Sequence, residues 1–323
     1  MALKSSSHAA SERSRPRSRS KLREGNDTGA ASKPTAGIYI VATPIGNLGD
    51  LTLRARDLLS RVDLIACEDT RVTKKLLLAH RLTTALLAYH DHNAARMRPR
   101  LIEQVKLGKS VALLSDAGTP LVSDPGLKLV QAAQAEGLYV TALPGPSAIL
   151  TSLVLSGLPC SAFFFAGFLP NKQTARRQAL AKWRDLNATL IFFESPQRLC
   201  ACLADVGQIL GNREAVVARE LTKRYEELRR GRVEALLEGY EGEAPPKGEL
   251  VLLVGPPDPD TAPLDDKELD AQLLAALATM STRDAATTVA AAVGLPRRQL
   301  YARALALAKS GPGSVEGPEH DET

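Results

Sequence analysis

Short apolar runs alternate with amphipathic stretches from residue 37 onward. The runs at 38–42, 63–67, 85–89, 110–114 and 138–143 predict five strands separated by turns and helices. Continuous apolar strands that alternate with helices are typical of a mainly parallel sheet that is covered on both faces. The first unit, residues 37–157, is therefore predicted to be α/β.

Two acidic residues mark predicted helix starts in this unit. Asp50 precedes a helical pattern that begins near Leu51, and Asp124 stands directly before Pro125. An acid at the N-cap followed by proline at the first helical position is a common helix start. Gly137 is the predicted end of the helix that begins at Pro125.

A second α/β unit is predicted over residues 158–256. Its strands are expected at 162–166, 189–194, 215–219 and 249–254, with helices near 174–183 and 197–210. The sequence Gly157-Leu158-Pro159 is the predicted hinge between the two units.

The two ends of the chain differ from this α/β body. Residues 1–36 are rich in Ser, Arg and Gly, and residues 311–323 are acidic, so both are predicted to be disordered. Residues 265–310 show helical spacing, with Ser281 as a helix cap, Gly294-Leu295-Pro296 as a turn and Pro296 as the start of the last helix. This segment is either a helix-turn-helix or a plain helical bundle.

Composition narrows the class of protein. Of the 323 residues, 44% are hydrophobic and 24% are charged, which is typical of a soluble globular chain. No run of about 18 apolar residues occurs, so a membrane span is excluded at this stage. The four cysteines form no CxxC pair, which favours free thiols in the cytoplasm and predicts no metal site.

Three loops after predicted strands carry unusual numbers of Gly, Pro, Ser and Asp. They are residues 43–50, 115–126 and 144–148. Ligands of parallel sheets bind beyond the carboxyl ends of the strands, so these loops predict a small-molecule cleft. There is no GxGxxG after the first strand and no GxxxxGK[ST]. The ligand is thus expected to be a nucleoside without a phosphate chain, such as S-adenosylmethionine.

Eight segments in order carry a resemblance to a known family: GIYIVATPIGNLGD, LIACEDTR, YHDHN, LLSDAGTPLVSDPG, LPGPSA, GFLP, FFESPQR and ARELTK. They resemble the ribosomal RNA ribose methyltransferases of the tetrapyrrole-methylase superfamily over residues 37–255. The first loop, TPIGNLGD, differs from the GxGPGDP-like loop of the precorrin-type members. A precorrin-type methyltransferase and a non-catalytic RNA-binding assembly factor remain as alternatives.

The resemblance implies two α/β domains with S-adenosylmethionine in the cleft between them, and a homodimer. It implies 2′-O-methylation of a cytidine ribose in 16S ribosomal RNA, within the small ribosomal subunit. The residues expected to bind the cofactor are Pro44, Asp116, Ala117, Gly118, Thr119, Ser147, Ala148 and Phe193.

A carboxylate or histidine near the methyl group would accept the proton of the ribose hydroxyl. The candidate catalytic residues are Glu68, Asp69, Arg71, His90 and Glu194. For three of these residues the sequence also allows a purely structural role. Asp69 could instead cap the next helix, and Glu68 could form an ion pair with Arg71. Glu194 could belong to a cluster of residues that starts a helix.

Cations of the second unit are the candidate RNA contacts. Lys172, Arg176, Arg198, Arg219 and Lys223 are predicted to form a basic rim. Aromatic residues make up only 4% of the chain, so recognition is expected to rest on RNA shape and phosphates rather than on base stacking.

Overall fold

The computed structural model describes residues 32–258, 266–293, 295 and 297–310. Contacts divide the chain into residues 1–33 and a compact body, residues 34–323, which holds every element described below. Several predictions lie outside the described residues. They concern most of the N-terminal arm, the linker after residue 258, the acidic tail, and the glycine and proline of the Gly294-Leu295-Pro296 turn.

The first sheet is parallel, as the apolar runs predicted. Its strands are β1 (Gly37–Val41), β2 (Leu64–Cys67), β3 (Leu86–Ala88), β4 (Ser110–Leu114) and β5 (Val140–Leu143). They lie in the order β3-β2-β4-β1-β5, and every pairing is parallel. The carboxyl ends of all five strands therefore meet at one edge.

Five helices follow these strands: α1 (Leu53–Arg61), α2 (Thr70–Ala79), α3 (Asp91–Lys106), α4 (Leu127–Ala135) and α5 (Ala148–Ser156). Side chains of α1 and α2 pack in one apolar cluster with Ile65 of β2. Those of α3 and α4 pack in another with Val111 of β4. Both faces of the sheet are covered, which explains why the strands are apolar throughout.

Two predicted helix starts are wrong. Asp50 ends a short 3₁₀ turn, and α1 is capped instead by Thr52, whose hydroxyl accepts a hydrogen bond from Ala55 N at 3.1 Å. Asp124 does not cap α4, because that helix begins after Gly126. The φ of Gly126 is 136°, and an added Cβ would come within 2.7 Å of Leu113 Cδ2, so the turn requires glycine.

The second sheet is mixed. Its strands are β6 (Phe163–Phe168), β7 (Thr189–Glu194), β8 (Glu214–Arg219), β9 (Glu227–Arg232) and β10 (Leu250–Val254), in the order β6-β7-β10-β8-β9. Strands β6 and β7 pair parallel, and the other three pairings are antiparallel. Strand β9 was not predicted, because its sequence ELRRGR lacks the apolar content that marked the other strands.

Helices cover both faces of the second sheet. Along the chain, α6 (Gln173–Ala181), α7 (Leu199–Leu210) and α8 (Val233–Tyr240) pack in one apolar cluster with β7, β8 and β10. Helix α5, which follows the first sheet, packs against the opposite face through Leu153. Gly157, at the predicted hinge, ends α5 with a left-handed φ of 78°.

Three further helices form the C-terminal part: α9 (Asp266–Leu277), α10 (Thr282–Val293) and α11 (Arg297–Ser310). They share a separate apolar cluster that includes Leu273 and Leu300. Ser281 caps α10 as predicted, since its hydroxyl accepts a hydrogen bond from Asp284 N at 3.2 Å. Among helices in the described part of the chain, none has the length and apolar character that crossing a bilayer requires.

Candidate active site

A cavity of about 730 Å³ opens between the two sheets. It is lined from the side of the first sheet by residues 45, 117–119, 122–124, 144, 145 and 147–150. From the side of the second sheet it is lined by residues 168, 193–196, 218, 221 and 248–251. We refer to this cavity as the cleft. Its volume lies within the range of about 300–1,000 Å³ that is usual for small-molecule sites.

The three glycine- and proline-rich loops meet at the cleft. Thr43 and Gly118 exchange two backbone hydrogen bonds, of 2.9 and 3.0 Å, which join the first loop to the second. The Thr119 hydroxyl reaches the carbonyl of Pro146 in the third loop at 3.5 Å. The prediction that these loops form one site is confirmed by these contacts.

Backbone strain is concentrated in two of the loops at the cleft, the loop after β4 and the loop after β8. Five non-glycine residues have positive φ among the described residues. Leu121 and Ser123 lie in the loop after β4, and Glu220 and Thr222 lie in the loop after β8. Positive φ costs about 1–3 kcal/mol for such residues and is common at functional sites.

Asp124 is the cleft carboxylate that stands out chemically. Its side chain is half-buried, and no ion pair forms with it inside the described ranges. Burial raises the pKa of Asp124, and the nearby carboxylates of Asp116 and Asp91 raise it further, while the Ser115 hydroxyl lowers it. The sequence did not mark Asp124 as a cleft residue, because an acid followed by Pro125 matches a helix cap.

The other two carboxylates of the cleft wall are paired with cations. Glu194 is buried and accepts hydrogen bonds from Ser195 N at 2.8 Å and from Arg198 Nη2 at 3.2 Å. Glu249 pairs with Lys223, whose ammonium lies 2.7 Å from the carboxylate. Glu194 lies in the cleft as predicted, and its contacts tie β7 to the turn that precedes α7.

Asp69 and Arg71 lie outside the cleft lining and pair with each other at the start of α2. The Asp69 carboxylate accepts hydrogen bonds from Arg71 N and from the guanidinium, which lowers the pKa of Asp69 to about 2. Asp69 caps α2, which is the structural role that the sequence offered as the alternative to catalysis. The expected pair between Glu68 and Arg71 is wrong, because Arg71 binds Asp69.

Glu68 and His90 also lie outside the cleft lining. Burial raises the pKa of Glu68, and the nearby carboxylates of Asp124 and Asp116 raise it further, so Glu68 lies close to the acidic residues of the loop after β4. His90 precedes α3, and its backbone N–H donates to Asn93 Oδ1 at 3.0 Å. The rings of His90 and His92 lie 6.0 Å apart.

Six of the eight predicted cofactor residues line the cleft: Ala117, Gly118, Thr119, Ser147, Ala148 and Phe193. Pro44 is buried and does not line the cleft, whereas the adjacent Ile45 does. Asp116 does not either. One of its carboxylate oxygens accepts a hydrogen bond from Asp69 N at 3.1 Å, which joins the loop after β4 to the loop after β2.

Most of the predicted basic rim is engaged within the protein. Arg176 is only 4% exposed and binds the fully buried Asp205, so it is unsuited to contact phosphate. Arg198 binds Glu194 and Asn171, Arg219 binds Glu227, and Lys223 binds Glu220 and Glu249. Lys172 is exposed at the start of α6.

The family model described as "Tetrapyrrole (Corrin/Porphyrin) Methylases" matches residues 37–237. A second model, described as "RsmI C-terminal HTH domain", matches residues 263–308. The second match covers the three C-terminal helices and favours the helix-turn-helix interpretation of that segment over a plain bundle.

Curated relatives are similar along most of their length. A protein of Mesorhizobium japonicum is 48% identical over 282 residues, which is 87% of this chain and 95% of that protein. A protein of Erythrobacter litoralis is 51% identical over 278 residues, which is 86% of this chain and 98% of that protein. Both are named ribosomal RNA small subunit methyltransferase I.

Solved structures share the fold at low sequence identity. A diphthine synthase aligns with a TM-score of 0.53 at 15% identity, covering 68% of this chain and 89% of its own. A cobalt precorrin-4 methyltransferase aligns with a TM-score of 0.52 at 15% identity, covering 68% and 94%. These likenesses concern the fold alone, and they confirm the predicted pair of α/β units.

Proposed function

The chain belongs to the tetrapyrrole (corrin/porphyrin) methylase family and is an S-adenosylmethionine-dependent methyltransferase, and from this premise we propose that it methylates ribosomal RNA of the small subunit. The acceptor that we propose is the 2′-oxygen of a cytidine ribose in 16S ribosomal RNA. One observation carries this proposal: the chain matches relatives over nearly their whole length. These relatives are named ribosomal RNA small subunit methyltransferase I.

The cleft suits the methyl donor. The backbone of Ala117 and the hydroxyls of Thr119 and Ser147 supply hydrogen-bonding partners for a ribose or an amino acid group. Apolar side chains such as Ile45 and Ala148 supply contacts for a flat base. When bound, S-adenosylmethionine supplies an electrophilic methyl carbon whose bond to sulfur breaks, with the electron pair left on sulfur, as the ribose oxygen attacks.

Asp124 is the proposed proton acceptor. Its carboxylate lines the cleft, has no cation partner in the described residues and has a raised pKa, which brings its basicity closer to the working pH. The ribose hydroxyl loses its proton to this carboxylate as the oxygen forms its bond to the methyl carbon. A paired carboxylate such as Asp69, with a pKa of about 2, is a much weaker base.

RNA contacts are proposed to come from cations that have no ion pair in the described residues. Lys74 and Lys75 lie in the first turns of α2, and Arg96 lies near the start of α3. Both helices begin at the sheet edge where the cleft opens. Lys172 and Arg224 are exposed on the other side. Affinity for RNA is therefore expected to fall as salt concentration rises.

The direct test is methyl transfer from labelled S-adenosylmethionine to small ribosomal subunits that lack the modification. We expect label to enter 16S ribosomal RNA and, after digestion to nucleosides, to be found in a 2′-O-methylcytidine. Label in a base rather than a ribose would reject the proposed acceptor. Absence of label in RNA, with turnover of a tetrapyrrole instead, would reject the RNA substrate.

We also propose that the protein works in the cytoplasm as a homodimer. Helix α5 supports a dimer, because it exposes Val154 and Leu155 outside the cleft lining, with Val154 74% exposed. An apolar helix face of this kind is commonly covered in an oligomer. The C-terminal end of α5 is held in place by Arg230, which donates to the carbonyls of Leu155 and Ser156 at 2.6 and 3.1 Å.

Sedimentation tests the dimer. We expect the wild-type protein to sediment as a dimer and Val154→Glu to sediment as a monomer, because a buried charge in the interface costs several kcal/mol, about the order of a whole binding hot spot. Leu78→Glu is the matched control, since Leu78 is 65% exposed on α2 and should leave the dimer intact. A monomeric wild-type protein would contradict the proposal.

A further inference from the structure

Phe168 is an aromatic residue that the fold leaves exposed inside the cleft. It ends strand β6, is 59% exposed and lines the cavity. A phenylalanine in a protein of this size would ordinarily be buried, since burying its ring is worth about 1.5–3 kcal/mol. An exposed ring inside a ligand cavity therefore indicates a contact made by a ligand.

A bulge in β6 directs Phe168 toward the cleft. The register between β6 and β7 shifts between Phe165 and Gly167, and Gly167 adopts a φ of 69°. Bulges re-aim side chains and are common beside active sites. The Phe168 ring packs edge-to-face on Phe193, with ring centroids 5.5 Å apart, so its orientation is supported by a second cleft residue while the side chain stays largely exposed.

The bulge lies next to the proposed proton acceptor. A Cβ added at Gly167 would come within 3.4 Å of Ser123 Oγ, so β6 approaches the loop that carries Asp124 at this point. A nucleotide whose base rests on Phe168 would have its ribose beside this loop. A ribose methyltransferase needs such a placement if the base is held at β6 and the 2′-hydroxyl is to reach Asp124, since both residues line the same cavity.

We propose that Phe168 stacks on the base of the target ribonucleotide and so positions its 2′-hydroxyl at Asp124. The proposal rests on the proposed function. Enzymes that act on a single nucleotide of a folded RNA extrude it from its stack, and an aromatic ring replaces the stacking that is lost. Stacking on phenylalanine holds any base, so Phe168 provides position, and neighbouring polar groups must provide discrimination between bases.

The test compares Phe168→Ala with Phe168→Tyr and with the matched control Phe163→Ala. Phe163 lies on the same strand, is 44% exposed and does not line the cleft. We expect Phe168→Ala to lower kcat/KM for unmodified small subunits about 5- to 150-fold, which is the range of one base–aromatic stack. Phe168→Tyr should retain nearly full activity, and Phe163→Ala should behave as wild type.

Cofactor affinity, measured by calorimetry, separates the target base from the adenine of the methyl donor. We expect the Kd for S-adenosylmethionine to be the same in Phe168→Ala and wild type. A parallel loss of cofactor affinity would show that the ring stacks on adenine and would overturn the proposal. So would an unchanged kcat/KM for Phe168→Ala.

Failure of the proposed function and failure of the proposed role of Phe168 would give different results. If the wild-type protein places no label in RNA, the proposed function fails and the role of Phe168 fails with it. If the wild-type protein labels RNA and Phe168→Ala does so equally well, only the role of Phe168 is rejected.

Discussion

Replacing Asp124 with asparagine is expected to slow methyl transfer about 10²- to 10⁴-fold, which is the usual contribution of a general base. Asparagine keeps the shape of the side chain but has no basic oxygen for the hydroxyl proton. The measurement is single-turnover transfer of label to small subunits at saturating S-adenosylmethionine. Cofactor affinity should change much less than the rate, because the cleft keeps its loops and hydroxyl groups.

The matched comparison is Asp116→Asn. Asp116 lies in the same loop, but its carboxylate binds Asp69 N and lies outside the cleft lining. We expect Asp116→Asn to slow the reaction less than Asp124→Asn does. Equal losses would contradict a specific role for Asp124. A loss confined to cofactor affinity would assign Asp124 to attraction of the positively charged sulfonium.

The pH dependence of the reaction offers a second readout for Asp124. Because burial and neighbouring carboxylates raise its pKa, the acidic limb of kcat/KM should lie above the ordinary range of an aspartate. Below this pKa the carboxyl is protonated and cannot accept a proton, so activity falls. In Asp124→Asn this limb should disappear from the pH profile.

The substitution Asp124→Asn should raise the stability of the folded protein although it lowers the activity. A carboxyl group whose pKa is raised on folding destabilises the folded protein once the pH exceeds that raised pKa, and it has no such effect below the unfolded value. Asp124→Asn removes the buried charge, so its Tm should exceed that of wild type at pH 8, by about 2–4 °C per kcal/mol relieved, and match it below about pH 4.

The loops of the cleft could be predicted from the sequence because their chemistry is local. Glycine, proline and small polar residues mark a turn wherever it lies, and apolar runs place the turns at strand ends. Asp124 was assigned wrongly for the same reason. An acid followed by proline matches a helix cap locally, but the helix begins at Leu127, after a glycine whose positive φ and closeness to Leu113 leave no room for a side chain.

Features that depend on distant partners could not be predicted. Arg176 resembles a surface cation in the sequence, and its partner Asp205 lies 29 residues away on another helix. The antiparallel pairing of β8 and β9 also depends on contacts that no local pattern records, and β9 is too polar to be recognised as a strand. The exposed position of Phe168 likewise follows from a bulge in a strand that looks uniformly apolar.

Replacing Asp205 with alanine is expected to destabilise the protein by about 3–5 kcal/mol, since it leaves a buried guanidinium without its counterion. Asp205 on α7 is fully buried and binds Arg176 of α6 at 2.6 Å. The single tryptophan, Trp183, packs against the same apolar cluster just after α6. Its fluorescence during urea unfolding therefore reports directly on this part of the second unit.

Arg177→Ala is the control for Asp205→Ala. Arg177 also binds Asp205 at 2.6 Å, but its side chain is 35% exposed, so its loss should cost at most about 1 kcal/mol. A double variant that combines Arg176→Met with Asp205→Leu should recover much of the stability that Asp205→Ala loses. In this double variant neither buried charge of the ion pair is left. If Asp205→Ala unfolds at the same urea concentration as Arg177→Ala, the buried ion pair does not hold α6 to α7.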